Sequence, residues 1–252
     1  MARPFRKLLR RFGLDYIKSP IDHWRRIVGL LDEFGITLVL DVGANTGQYV
    51  GYLRAAGWTG RVVSFEPVAS VHAALRANAA ADPAWAVAPA MALGSPDGEA
   101  EITVSSESDM SSLLPLREEF LAVSPSAAAA TRERVKVHTL DSVFDDFAGA
   151  QERVFVKIDT QGFERAVLDG ALACLPRIVG FQLELSLVPL YEGEAEWREL
   201  VDRLQGDGFD LRFVLPGYYD RHLHRMLQID GATRHVILSG VTGRVFFRLS
   251  KK

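Results

Sequence analysis

The stretch Thr37-Leu38-Val39-Leu40 is short, apolar and bounded by punctuating residues, and it runs directly into Asp41-Val42-Gly43-Ala44-Asn45-Thr46-Gly47-Gln48. No other feature constrains the fold as much: a strand buried on both faces, a glycine turn, then a helix reaching about Leu53. Gly43 and Gly47 permit backbone angles and a closeness of approach that a side chain would block. The helix start exposes unpaired amides, so the loop suits a small ligand wrapped tightly. A plain βα connection uses the same succession, and the rest of the chain has to decide between them.

Further apolar runs at 61–65, 85–90, 101–104, 135–138, 154–158, 178–185 and 211–214 read as strands. Helical patterns at 22–34 (ending at Gly35), 68–80, 163–175 and 194–208 alternate with several of them. That rhythm predicts an α/β fold with a mostly parallel central sheet and helices on both faces. An N-terminal helical segment, 1–36, precedes one domain, 37–252. Residues 106–130, with two serine-rich patches and four consecutive alanines, lack a strand pattern and are expected to form a loop plus a helix at the sheet edge, a candidate lid.

Composition excludes several classes. A net charge of −3 gives no basic surplus for a polyanionic partner, so nucleic acid is disfavoured. Cys174 is the only cysteine, which rules out an internal disulfide or a cysteine-rich metal site and leaves a small buried apolar residue. No apolar stretch approaches the ~18–20 residues that cross a bilayer, and the expected location is the cytoplasm. Phe5, Leu8, Leu9 and Phe12 with cations between them form a short basic amphipathic pattern. It suits packing on its own domain or a peripheral contact with an anionic membrane.

The glycine loop departs from Gly-x-Gly-x-x-Gly, and Asp41 would repel a pyrophosphate. A carboxylate there favours a cationic ligand instead. S-adenosylmethionine carries an ammonium and a sulfonium, and Asp41 would meet the ammonium directly or through water. Ser64-Phe65-Glu66-Pro67 places Glu66 at the end of the second strand, about twenty residues past Gly47, where an acid bonds ribose hydroxyls. A helix-capping role is its alternative.

Taken together, Asp41–Gly47, Phe65-Glu66-Pro67, Ala92-Leu93-Gly94, Thr139-Leu140-Asp141, Lys157-Ile158-Asp159-Thr160-Gln161-Gly162-Phe163-Glu164 and Glu184-Leu185-Ser186 with Pro189-Leu190-Tyr191 resemble the FkbM family of O-methyltransferases. The resemblance spans roughly residues 37–230. It implies a Rossmann-like class I methyltransferase fold, S-adenosylmethionine as donor, and a hydroxyl acceptor on a sugar, glycolipid or polyketide. Carried over by position, Asp41, Gly43, Asn45 and Gly47 form the donor loop, Glu66 holds the ribose, and Leu93 lies near the adenine. After Ile229-Asp230-Gly231 the chain departs from the family pattern, continuing through 232–243 before Arg244-Val245-Phe246-Phe247-Arg248.

Asp159 ends a buried strand at the carboxyl edge, where open α/β sheets place their ligands. Methyl transfer to a hydroxyl is an in-line displacement, so the acceptor oxygen must be aligned and relieved of its proton. Asp159 and Glu184, on neighbouring predicted strands, are the candidate catalytic pair; they would share a proton or hold one divalent cation such as Mg2+ through hard oxygen ligands. Capping of the helix near Gly162 is the alternative for Asp159. Lys157, on the same strand face, is expected to neutralise one of these acids. His222 and His224 are weaker candidates for the acceptor pocket. An NAD-linked oxidoreductase and a non-catalytic binding protein on the same scaffold are the rival readings.

Overall fold

The computed structural model describes residues 20–105, 110–123, 130–220 and 224–235. The basic pattern at 3–12, His222, parts of the 106–130 stretch and the terminal segment from 236 onward lie outside them.

The central sheet has seven strands: β1 (Leu38–Val42), β2 (Arg61–Phe65), β3 (Trp85–Val87), β7 (Val154–Ile158), β8 (Ile178–Ser186), β9 (Phe209–Pro216) and β12 (Gln228–His235). Their order is β3-β2-β1-β7-β8-β12-β9. From β3 to β8 neighbours are parallel. β12 enters antiparallel between β8 and β9, so the mostly parallel expectation holds with one reversed strand. A smaller sheet of β4 (Ala92–Leu93), β6 (Ala130–His138) and β5 (Gly98–Ser105) stands beside it, and β10 (Tyr219–Asp220) pairs with β11 (Arg225–Met226).

Every residue of β1 and of β7 is buried, because helices cover both faces. The period of two divides them: Leu38, Leu40, Val42, Val154, Val156 and Ile158 join one core layer, with Leu140 and Phe144 of α5 (Leu140–Phe147). Val39 and Phe155 face the other layer, with Ile27 and Leu31 of α1 (Pro20–Glu33) and Val50 and Leu53 of α2 (Gln48–Ala55). Helix α1 stops as expected at Gly35, whose φ of +62° lets the Ile36 N–H bond the Leu31 carbonyl. The other helices are α3 (Ala69–Ala79), α4 (Glu118–Val123), α6 (Glu164–Asp169) and α7 (Trp197–Gly206).

On the α1/α2 face, parallel register aligns Ser64 with Asp41, Asp41 with Lys157, and Lys157 with Gln182. A row of four buried polar side chains therefore crosses the carboxyl edge of the sheet. Buried polar groups persist only when paired, and this row is where the site begins.

Candidate active site

Asp41 is fully buried. Its Oδ2 accepts from Ser64 Oγ at 3.0 Å, and Ser64 Oγ in turn accepts from Trp85 Nε1 at 2.9 Å. Lys157 Nζ lies 3.1 Å from Asp41 Oδ1 and 3.4 Å from Asp159 Oδ2, and donates to the Gly43 carbonyl at 2.9 Å. Burial pushes the Lys157 ammonium down, but the charges of Asp41 and Asp159 outweigh it and hold the group above its ordinary value. Lys157 thus does what its position on the strand suggested: it neutralises neighbouring acids.

Above this row opens a cavity of about 470 Å³, walled by Gly43, Ala44, Asn45, Glu66, Leu93, Asp159 and Glu184 among others. At the β2 end, Glu66 is buried and gripped by backbone: Oε2 accepts from Asn45 N–H at 3.0 Å and Oε1 from Val68 N–H at 2.9 Å. Burial raises its pKa, against the pull of those two N–H groups. Met91, Ala92, Leu93 and Phe163 continue the wall.

At the β8 and β12 end, Asp159 Oδ1 and Glu184 Oε2 accept from one donor, Gln161 Nε2, at 3.0 and 2.7 Å. Gln228 Nε2 also donates to Glu184 Oε2, at 2.8 Å. Asp230, opposite Glu184 in the β8–β12 pair, takes Gln182 Nε2 at 3.3 Å. Burial, then the charges of Asp159 and Glu164, push Glu184 well above the usual carboxylate range. Burial first and Asp159 second bring Asp230 to about 6. Glu164, buried at the α6 start with the N–H groups of Thr160 and Gly162 on its Oε1, is pushed up by burial to about 7.

Glycine supplies the close approaches. A Cβ on Gly43, at φ +70°, would sit 1.8 Å from the Asp159 carbonyl oxygen; on Gly47, at φ +96°, it would strike the Trp85 ring at 2.3 Å. Gly47 and Asp41 are therefore beneath the loop and off the cavity wall, whereas Gly43 and Asn45 form it. Direct contact of Asp41 with a ligand ammonium does not fit a carboxylate sealed under Ser64 and Lys157. His224 is exposed and off the wall. Asp141 bonds the Ala173 and Cys174 N–H groups, a structural tie, and Cys174 is buried.

Sequence reasoning missed Gln161, Gln182, Gln228 and Asp230 as site residues. Gln161 and Asp230 lay inside motifs already noticed; the other two carried no local signal. Among the described residues, no group of three or more His, Cys, Asp or Glu is placed to hold a metal ion. The donors around Asp159 and Glu184 are an ammonium and amide N–H groups, so a divalent cation does not fit the pair as arranged. No helix among the described residues is long and apolar enough to cross a membrane.

The sheet order with its single reversed strand, and a cavity over the carboxyl ends of β1, β2, β7 and β8, are those of the class I methyltransferase fold. The methyltransferase FkbM domain model matches residues 41–211, and the chain belongs to the FkbM family, making it an S-adenosylmethionine-dependent methyltransferase. A solved structure assigned as an O-methyltransferase from Klebsiella pneumoniae is similar in fold, with a TM-score of 0.50, 10% identity, and 92% of this chain covering 89% of that one. The O-methyltransferase from Bacillus cereus in complex with SAH aligns with a TM-score of 0.49 and 11% identity, over 90% of this chain and 87% of that chain. No curated protein matches the chain.

Proposed function

We infer that the chain methylates a hydroxyl group of a sugar, glycolipid or polyketide-type acceptor. The observation that carries this reading is the two-ended cavity: a loop wall with Glu66 at one end, a pair of carboxylates at the other, and Lys157 between. S-adenosylmethionine, when bound, supplies a methyl group activated by its sulfonium. Gly43, Ala44 and Asn45 would pack beside it, Glu66 would accept from the ribose hydroxyls, and Leu93 with Met91 and Phe163 would cover the adenine. Asp41 acts at one remove, fixing Lys157 under the loop.

Asp159 and Glu184 would orient the acceptor hydroxyl and receive its proton. A carboxylate near its ordinary pKa of ~4 is a weak base toward an alcohol. Burial raises Glu184 and so makes its anion a better proton acceptor, while a flexible, solvated acid would gain nothing of the kind. The polar lining of this end, Gln182, Gln228 and Asp230, with Tyr49, Tyr52 and Trp24 at its side, supports a hydroxyl-rich acceptor carrying an apolar face.

The test is transfer of a tritiated methyl group to matched alcohols and amines on sugar, glycolipid and polyketide scaffolds. The alcohols should be labelled and Asp159→Asn should cut turnover by about 100-fold or more. Labelling of the amines alone, or full activity in Asp159→Asn, would overturn the assignment.

A further inference from the structure

Among the residues lining the acceptor end, Gln161 alone combines a bond to both acids with a left-handed backbone, φ +54° on a residue that is not glycine. Such a conformation is disfavoured for a residue with a Cβ and survives only where its surroundings over-determine it. They do so here. Ser112 Oγ donates to the Gln161 carbonyl at 2.6 Å, and Gly162 behind it, at φ +94°, closes against the Tyr191 ring, 3.1 Å from where a Cβ would sit.

The orientation of the amide is fixed by chemistry. Tyr191 is 1% exposed, and burial pushes its phenol up, so the group stays an O–H donor. It donates to Gln161 Oε1 at 2.9 Å, which turns the NH2 toward the acids. Rotating the amide by 180° would set its oxygen against two carboxylates and leave the phenol only the Met110 carbonyl, at 3.4 Å, to donate to. Each of the two N–H groups therefore has one carboxylate of its own, Asp159 Oδ1 and Glu184 Oε2.

We propose that Gln161 is a positioning residue that sets the spacing and the shared charge of the Asp159–Glu184 pair, with Tyr191 locking the direction of its amide. The proposal rests on the reading of those two acids as the acceptor-binding pair. A neutral side chain with two donors serves both carboxylates at once without cancelling their charge, which a cation there would do. No described residue donates to Glu184 Oε1, and that oxygen is the one left for the acceptor. The other charged or titratable groups facing the pair are Lys157 and Asp41 beneath it, Asp230 from β12, Glu164 from α6, and Glu194 and Tyr191 from the segment before α7.

The test uses the full chain and needs no acceptor. In 15N side-chain amide spectra, the Gln161 NH2 pair, assigned by its loss in Gln161→Met, should move as pH carries Glu184 through titration. Asp159→Asn and Glu184→Gln should each displace it. By 13C-carboxyl titration, Gln161→Met, close to isosteric, should raise the Glu184 midpoint by about one pH unit, because a carboxylate stripped of a donor holds its proton more tightly. Tyr191→Phe, which frees the amide to turn, should give a smaller rise, and donor affinity should stay within about twofold in both. An amide resonance indifferent to pH and to both acid variants, or an unmoved Glu184 midpoint in Gln161→Met, would overturn the proposal. Should Gln161→Met fail to fold, the wild-type amide, then assigned by its through-space contact with the Tyr191 ring, and Tyr191→Phe decide it. Turnover that persists in Asp159→Asn and Glu184→Gln removes the catalytic reading, while the amide spectra still report on Gln161.

Discussion

The two ends of the cavity are built by different means. At the proposed donor end a single acid, Glu66, is held by backbone: the N–H groups of Asn45, in the β1–α2 loop, and of Val68, two residues on. At the proposed acceptor end, Asp159, Glu184 and Asp230 are held by side-chain amides from β7–α6, β8 and β12. Backbone donors are independent of side-chain identity, so the first arrangement comes with the fold. The second needs several side chains to agree, and can be retuned one residue at a time. A common donor and a variable acceptor would call for that division.

Removing what joins the two ends should have the largest effects. Gly43→Ala puts a methyl group 1.8 Å from the Asp159 carbonyl oxygen at a φ of +70°, where the neighbour, just past the end of β7, is backbone and cannot turn aside. Loss of at least ~4 kcal/mol, or failure to fold, is expected in urea titration. Lys157→Met should cost about 3–5 kcal/mol, since it strands the buried Asp41 carboxylate. Adding Asp41→Asn should recover at least about half of that loss, and a double variant no better than the single would show that Lys157 acts some other way.

The same division governs what could be read from the sequence. Strands β2 and β7 were anticipated residue for residue, because a strand covered on both faces is a continuous apolar run with sharp ends. The glycine turn between β1 and α2 was legible because its parts are contiguous. Strand β12 was not: Asp230, Gly231 and Thr233 break its apolar pattern, since it serves the site on one face and receives hydrogen bonds from β8 and β9 at both edges. Helix α5 was missed although Thr139 caps it and Leu140, Val143 and Phe144 keep helical spacing; at 8 residues it is short. The helix expected over 163–175 stops at Asp169, and the Ala173 and Cys174 N–H groups go to Asp141 instead. Asp41 stands out in the sequence as a carboxylate in an apolar strand, but a strand pattern cannot show that Ser64 and Lys157, on the two neighbouring strands, lie against it.

A subtler comparison sets one acid from the donor end against one from the acceptor end. Glu66→Ala removes the acceptor of two backbone N–H groups and the proposed ribose contact. Donor affinity by calorimetry should fall about 10- to 100-fold, in line with ~1.5–3 kcal/mol for hydrogen bonds to a charged group. Gln228→Leu, which strips a donor from Glu184, should leave donor affinity within about twofold. Equal losses in the two variants would mean that the ends are not separable.

The smallest effect expected is also the one with a sign particular to the acceptor end. Asp230 sits at about 6 in the folded protein, raised by burial and then by Asp159, against ~3.9 for an unfolded aspartate. Between those values the folded protein binds more protons than the unfolded chain, so the free energy of unfolding falls as pH rises through the window. The destabilisation is absent below pH ~4 and complete above pH ~6. Asp230→Asn abolishes the titration and keeps an acceptor for Gln182, so it should stabilise the protein at pH 8 by about 1–2 kcal/mol and leave it unchanged at pH 4. Urea titrations at the two pH values measure the difference directly. A gain of the same size at both would mean that packing, rather than the crowding of carboxylates, sets the cost of Asp230, and the acceptor end would then carry no stored charge for a substrate to relieve.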